Sequence, residues 1–186
     1  SAWVTSSALG AAAPVANIVS MAVTIASGIW LARRLSLQDG YGALAGAATA
    51  VCGASATLAT TTVLPNYPAK AADTAFTVVA ANAVSTLVML AYPPLAILLG
   101  FDATKTGILI GATIHDMAQV VGAGYAVSEP VGNSSVVVKL FRVFLLLPVV
   151  LILGLYVTRL TGRHGEARVA VPTFAIVFLI LCIINS

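Results

Sequence analysis

The chain has 186 residues, of which 60% are apolar and only 8% charged, with a net charge of +3 and a mean hydropathy of +1.03. Soluble domains carry roughly 25% charged residues, so the composition excludes a water-soluble globular core. Of the nine Lys/Arg, all but Lys139 and Arg142 fall in short loops between apolar runs, so the positive balance says little about nucleic acid, and no run of alternating residues suggests an outer-membrane barrel.

What remains is an all-α, polytopic membrane protein, read as one transmembrane domain over residues 1–186. Long apolar runs place five complete spans at about 8–32, 40–64, 74–99, 106–127 and 136–157, with a sixth beginning at 171. Ser1 is not a start residue, and the last apolar run stops short of the ~20 residues a span needs. Both ends are therefore expected to continue in a longer protein. The two cysteines, Cys52 and Cys182, lie inside apolar runs, and neither has disulfide or metal-site spacing.

The first span carries Asn17 and closes on Arg33-Arg34. The second is built of Gly, Ala, Ser and Thr, with Cys52-Gly53-Ala54-Ser55 at mid-depth and Thr49 just before. Small residues of this kind allow close helix packing. They equally suit a helix that breaks inside the membrane and offers bare backbone groups to an anion. The third span has Asn82, Ser85 and Thr86 in its body and Pro93-Pro94 near its end.

The fourth span is where ionisable chemistry concentrates: His115, Asp116 and Gln119 fall near its midpoint. A charge at the bilayer centre costs roughly 2.5–3.5 kcal/mol on insertion scales, so polar partners or a water-filled path must offset it. On a continuous helix, Gln119 lies at i+4 from His115 and i+3 from Asp116, close enough to join one polar patch. The patch reads as a proton-titrating or substrate-contacting site, or as a hydrogen-bonded knot that fixes packing. The fifth span places Lys139 and Arg142 in its first two turns. They either snorkel to the outer interface or turn inward to pair with Asp116 or attract an anion.

Alternating the loops across five spans puts Arg33, Arg34, Lys105, Arg159, Arg163 and Arg168 on one side, with Lys70 opposite. The positive-inside rule makes the first group cytoplasmic. Gly42-Ala-Leu-Ala-Gly46-Ala47 and Gly107-Ile-Leu-Ile-Gly111-Ala112 share a frame at the heads of spans two and four. With one span between them they run in the same direction, so the reading favours coincidence over an inverted pair. His164 reads as a solvated loop residue.

Three segments taken together resemble a known family: Thr49-Ala-Val-Cys-Gly-Ala-Ser-Ala56, Ile114-His-Asp-Met-Ala-Gln-Val-Val121, and Val138-Lys-Leu-Phe-Arg-Val143 followed by Pro148. Asp73-Thr-Ala-Phe76 and Tyr92-Pro93 fit between them. They look like the YeiH family of bacterial inner-membrane proteins, which carries the label of sulfate exporters. The resemblance implies the cation:proton antiporter and anion transporter superfamily, with inverted repeats and broken crossing helices. On that analogy span two is the crossing helix, and its partner lies beyond Ser186. Where the family tends to carry Ser-Ser-Ile before the Cys-Gly, this chain has Thr49-Ala50-Val51.

The expected function is a secondary transporter of the bacterial inner membrane that exports a small anion, such as a sulfur oxyanion or sulfonate, with protons or a cation as coupling ion. The expected binding or coupling set is His115, Asp116, Gln119, Cys52, Gly53, Ser55, Thr49, Lys139 and Arg142. No cofactor, metal or nucleic-acid partner is expected, the lipid bilayer is the surrounding partner, and an oligomer is compatible with the sequence. A cation:proton antiporter centred on Asp116 is the alternative. An intramembrane enzyme is a weaker one, because no HExxH or similar spacing accompanies His115, and the chain is read as not enzymatic.

Overall fold

The computed structural model describes residues 12–161. The expected sixth span at 171, His164, Arg163, Arg168 and Cys182 lie outside those residues. Eight helices occur among the described residues: α1 Ala12–Arg34, α2 Asp39–Ala50, α3 Ala54–Val63, α4 Lys70–Leu98, α5 Ala103–Thr113, α6 Met117–Val127, α7 Glu129–Phe144 and α8 Leu146–Thr161. Three stretches are long and apolar enough to cross a bilayer: Pro14–Arg34, Lys70–Leu98 and Glu129–Val157, the last joining α7 to α8. The chain is an all-α membrane protein.

The two remaining expected spans, 40–64 and 106–127, are not crossing helices. The first breaks at Val51–Gly53, where Gly53 takes φ +57° and ψ −111°, a region that a Cβ disfavours. The second breaks at Ile114–Asp116, between α5 and α6. Both then turn back. In a straight helix Leu44 and Leu64 would stand roughly 30 Å apart, yet they share one apolar cluster with Ile29, Leu153 and Val157. At the open end, a Cβ on Gly40 would lie 2.9 Å from the Tyr67 ring.

The second segment behaves alike. A Cβ at Gly107 would lie 3.3 Å from Ser135 N, and one at Gly124, across the break, would strike Ser135 Oγ. Both arms therefore lie against the same turns of α7. Ile110 and Ala123, one on each arm, join Val131 of α7 in a buried cluster. Each segment is thus a re-entrant helical hairpin, compatible with lipid because its backbone is buried in protein.

Small residues set this packing. Gly42 and Gly46 press α2 onto α1, where added Cβ atoms would sit 2.7 Å from Ala32 Cβ and 3.0 Å from Ile25 Cα. Gly107 and Gly111 do the same for α5 against Ser134, Ser135 and Val138 of α7. The shared glycine frame is therefore one device used twice, to lay the entering arm of a hairpin on a crossing helix.

The order is crossing helix, hairpin, crossing helix, hairpin, crossing helix, so the hairpins enter from opposite ends and their glycine frames run in opposite directions. The expectation of a common direction failed because segment 40–64 does not cross. For the same reason Lys70 joins Arg33, Arg34 and Arg159 at one end, and Lys105 moves to the other. Among the described residues, the broken segment that faces span two is 106–127. The hairpins are alike in build but opposite in direction, and they differ in partner: α2 packs on the helix before it and α5 on the helix after it.

Candidate functional site

The hairpin tips meet halfway along α4. A Cβ at Gly53 would lie 3.4 Å from His115 Cβ, 3.8 Å from Ala81 Cβ and 3.9 Å from Asn82 Oδ1. On the other tip, the backbone N–H groups of His115 and Asp116 donate to Ser85 Oγ at 3.0 and 3.3 Å. Asn82 and Ser85 belong to the site although the sequence singled out neither as functional. Their signal is a polar residue at the middle of an otherwise apolar span.

Lys139 and Arg142 approach from α7. The fifth span begins at Glu129 and not near Val136, so both cations sit midway along the crossing stretch, too deep to snorkel. Lys139 is fully buried and Arg142 is 4% exposed. Lys139 Nζ donates to Val51 O at 2.6 Å and to Ile114 O at 2.9 Å, one carbonyl from each hairpin. Arg142 donates to Ala50 O through Nε at 3.1 Å and also through Nη2.

These carbonyls end α2 and α5. The last carbonyls of a helix lack intrahelical partners and carry the negative end of its dipole. A break at mid-membrane buries that end, and a cation there satisfies the oxygens and offsets the partial charge. Neither cation pairs with Asp116: among the described residues the ion pairs are Arg33–Asp39 and Lys105–Asp102, at opposite ends of the molecule.

Asp116 has a different task. It is the N-cap of α6, its Oδ1 accepting from Ala118 N at 2.9 Å and Gln119 N at 3.2 Å. The continuous-helix patch of His115, Asp116 and Gln119 does not form, because the helix begins only after Asp116. Gln119 instead donates from Nε2 to Thr86 Oγ1 of α4 at 3.0 Å. Of the expected span-two ligands, Cys52 is buried against the apolar cluster of Met21 and Leu146. Gly53 and Ser55 stand at the start of α3, with Ser55 exposed, whereas Thr49 turns its hydroxyl onto Ala45 O of its own helix at 2.8 Å.

The two helix starts at the tips are unequal. Asp116 caps α6, whereas Gly53 leads into α3 with no side-chain cap. The centre of the membrane thus holds two cations, one carboxylate and an uncapped helix N-terminus.

This architecture defines a polytopic membrane protein with paired re-entrant hairpins around a buried cationic centre. The family model described as Conserved hypothetical protein 698 matches residues 2–186, and the chain belongs to that family, in line with the YeiH resemblance. A UPF0324 membrane protein of Chlorobaculum tepidum is 43% identical over 180 residues, covering 96% of this chain and 50% of the relative. The UPF0324 membrane protein TauZ of Paracoccus denitrificans is 39% identical over 183 residues, covering 96% and 54%. A UPF0324 membrane protein of Rhizobium meliloti is 41% identical over 172 residues, covering 91% and 50%. The chain spans about half the length of the curated relatives it matches. No solved structure matches it.

Proposed function

We propose that the chain forms part of a secondary transporter that moves a small anion, of the sulfur oxyanion or sulfonate class, out through the bacterial inner membrane. The observation that carries this reading is the excess of buried positive charge where the hairpin tips meet. Lys139 and Arg142 bind helix ends and form no ion pair with Asp116, the one carboxylate at the tips, so two cations face one anion where the tips meet. The uncapped start of α3 supplies N–H donors, and Ser55 and Asn82 lie beside it.

His115, at the tip of the second hairpin and facing Gly53 of the first, is the titratable ring placed where proton movement and cargo movement could be coupled. The protein acts without chemistry on its cargo. The end that holds Arg33, Arg34, Lys70 and Arg159 is assigned to the cytoplasm by its positive charge, with Lys105 outside.

Efflux of sulfite, sulfate, taurine-type sulfonates and carboxylates from proteoliposomes, with and without a pH gradient, tests the reading. One of these anions is expected to move, and Arg142→Ala is expected to abolish the movement. Sodium or potassium collapsing an imposed pH gradient, with no anion moving, would establish the cation antiporter instead. Asp116→Asn separates the two further. Asn still caps a helix, so anion efflux persists, whereas an antiporter centred on that carboxylate stops.

A further inference from the structure

Among the described residues, four buried side-chain atoms have no hydrogen-bond partner: Thr60 Oγ1, Tyr67 OH, Thr77 Oγ1 and Gln119 Oε1. The first three belong to α3, to the α3–α4 connection and to α4. The neighbouring threonines follow the usual membrane pattern of donating to a carbonyl one turn back: Thr57 to Gly53 O at 2.8 Å, Thr61 to Thr57 O at 2.9 Å and Thr74 to Lys70 O at 2.7 Å. Thr60 and Thr77, 0% and 5% exposed, do not.

Thr77 stands on the seam between α3 and α4, and Thr60 is buried on α3 one residue before Thr61, which meets that seam. The inward stripe of α4 reads Thr74, Thr77, Ala81 and Ser85, the i, i+3, i+7, i+11 positions of one helix face. Thr74 Oγ1 meets Thr61 Oγ1 at 3.0 Å, Ala81 touches the Gly53 tip and Ser85 holds the His115 tip. The stripe therefore runs from the start of α4 to the mid-membrane site.

Its outer end opens on a cavity of about 350 Å³ lined by Ser36, Gln38, Tyr41, Ala69 and Asp73. Asp73 lies one turn from Thr77. Burial and the Asp73 carboxylate nearby hold the Tyr67 phenol above its ordinary pKa. A buried hydroxyl left without a partner in a bilayer is costly, and bridging water is the partner that commonly satisfies such a group.

We propose that the α3–α4 seam holds a file of water that carries protons between the Asp73 cavity and the hairpin tips, open to that end of the molecule alone. Thr60 and Thr77 each complete a hydrogen bond to the file, and protons pass along it by exchange between neighbouring waters with no net bond made or lost. The role rests on the proton-coupled transport reading, but the hydration itself is tested without transport.

Thr77→Cys and, separately, Thr60→Cys are introduced into the full-length protein with Cys52 and Cys182 replaced by Ser, in membrane vesicles of either orientation. The probe is the silver ion, which is membrane-impermeant, is small enough to follow single waters and binds thiolate. A thiol reacts as its thiolate, which forms in water and not in lipid. Labelling from the Asp73 end is expected to run at least roughly tenfold faster than that of Val79→Cys on the lipid face, and than labelling from the other end. Rates equal to that of Val79→Cys, or equal from both ends, would overturn the proposal. Because Thr60 and Thr77 lie on different helices, a fold lost in one variant leaves the other to decide. Labelling as expected in a protein that moves no anion would sink the transport reading and leave the water path standing.

Discussion

Lys139 offers three donors and places two of them on carbonyls from different hairpins, so one ammonium ties both tips together. Hydrogen bonds to a charged group contribute about 1.5–3 kcal/mol each. Lys139→Met, which keeps much of the volume, leaves both carbonyls bare. It is expected to lower the thermal midpoint of the detergent-solubilised protein by several degrees, with Lys139→Arg in between. An unchanged midpoint for Lys139→Met would show that the tie is not a stabilising element. Asp116→Ala should cost about 0.5–2 kcal/mol as a lost cap, and Asp116→Asn much less, by the same measurement. The embedded residues themselves were legible from sequence, because charge in an apolar run must be compensated. Their partners were not, since backbone carbonyls 25, 88 and 92 residues away carry no sequence signature.

At the scale of the element, each tip depends on backbone that only certain residues permit. Gly53 combines φ +57° with ψ −111°, and a side chain there costs on the order of 1–3 kcal/mol. Gly53→Ala is therefore expected to destabilise the protein in thermal unfolding and to weaken anion movement. Gly122→Ala is the matched control, because the nearest atom to its Cβ is the flexible end of Met89. Equal behaviour of the two variants would contradict the assigned tip geometry. Hydropathy located both hairpins but misread them as spans, since an apolar stretch of 22 to 25 residues satisfies the length criterion whether it crosses or returns. The glycines and hydroxyls of 40–64 pointed to a break. The break in 106–127 was hidden because Ile114-His115-Asp116 reads as helix until Asp116 is recognised as a cap ahead of Met117.

Across the whole molecule, the consequences follow from counting crossings. Among the described residues, three crossing helices and two returning hairpins bring Arg33, Arg34, Lys70 and Arg159 to one end, and the hairpins approach the centre from opposite ends. Under the proposed transport function, moving one hairpin while the other stays shut would open such a site to one side at a time, as alternating access requires. The all-α membrane fold and the depth of the polar residues were readable from composition and run length. Direction was not, because two misread crossings exchange the ends of every loop between them while leaving the helix count plausible.

The central claim is that segments 39–63 and 103–127 return to the side they enter from. Substituted cysteines at Gln38 and Ala69, which flank the first hairpin, and at Asp102 and Glu129, which flank the second, test it directly with an impermeant thiol reagent on intact cells and on inverted vesicles. All four positions are exposed. Gln38→Cys and Ala69→Cys are expected to label together from one face, and Asp102→Cys and Glu129→Cys together from the other. Labelling of Gln38→Cys and Ala69→Cys from opposite faces would mean that the segment crosses, and would contradict the account.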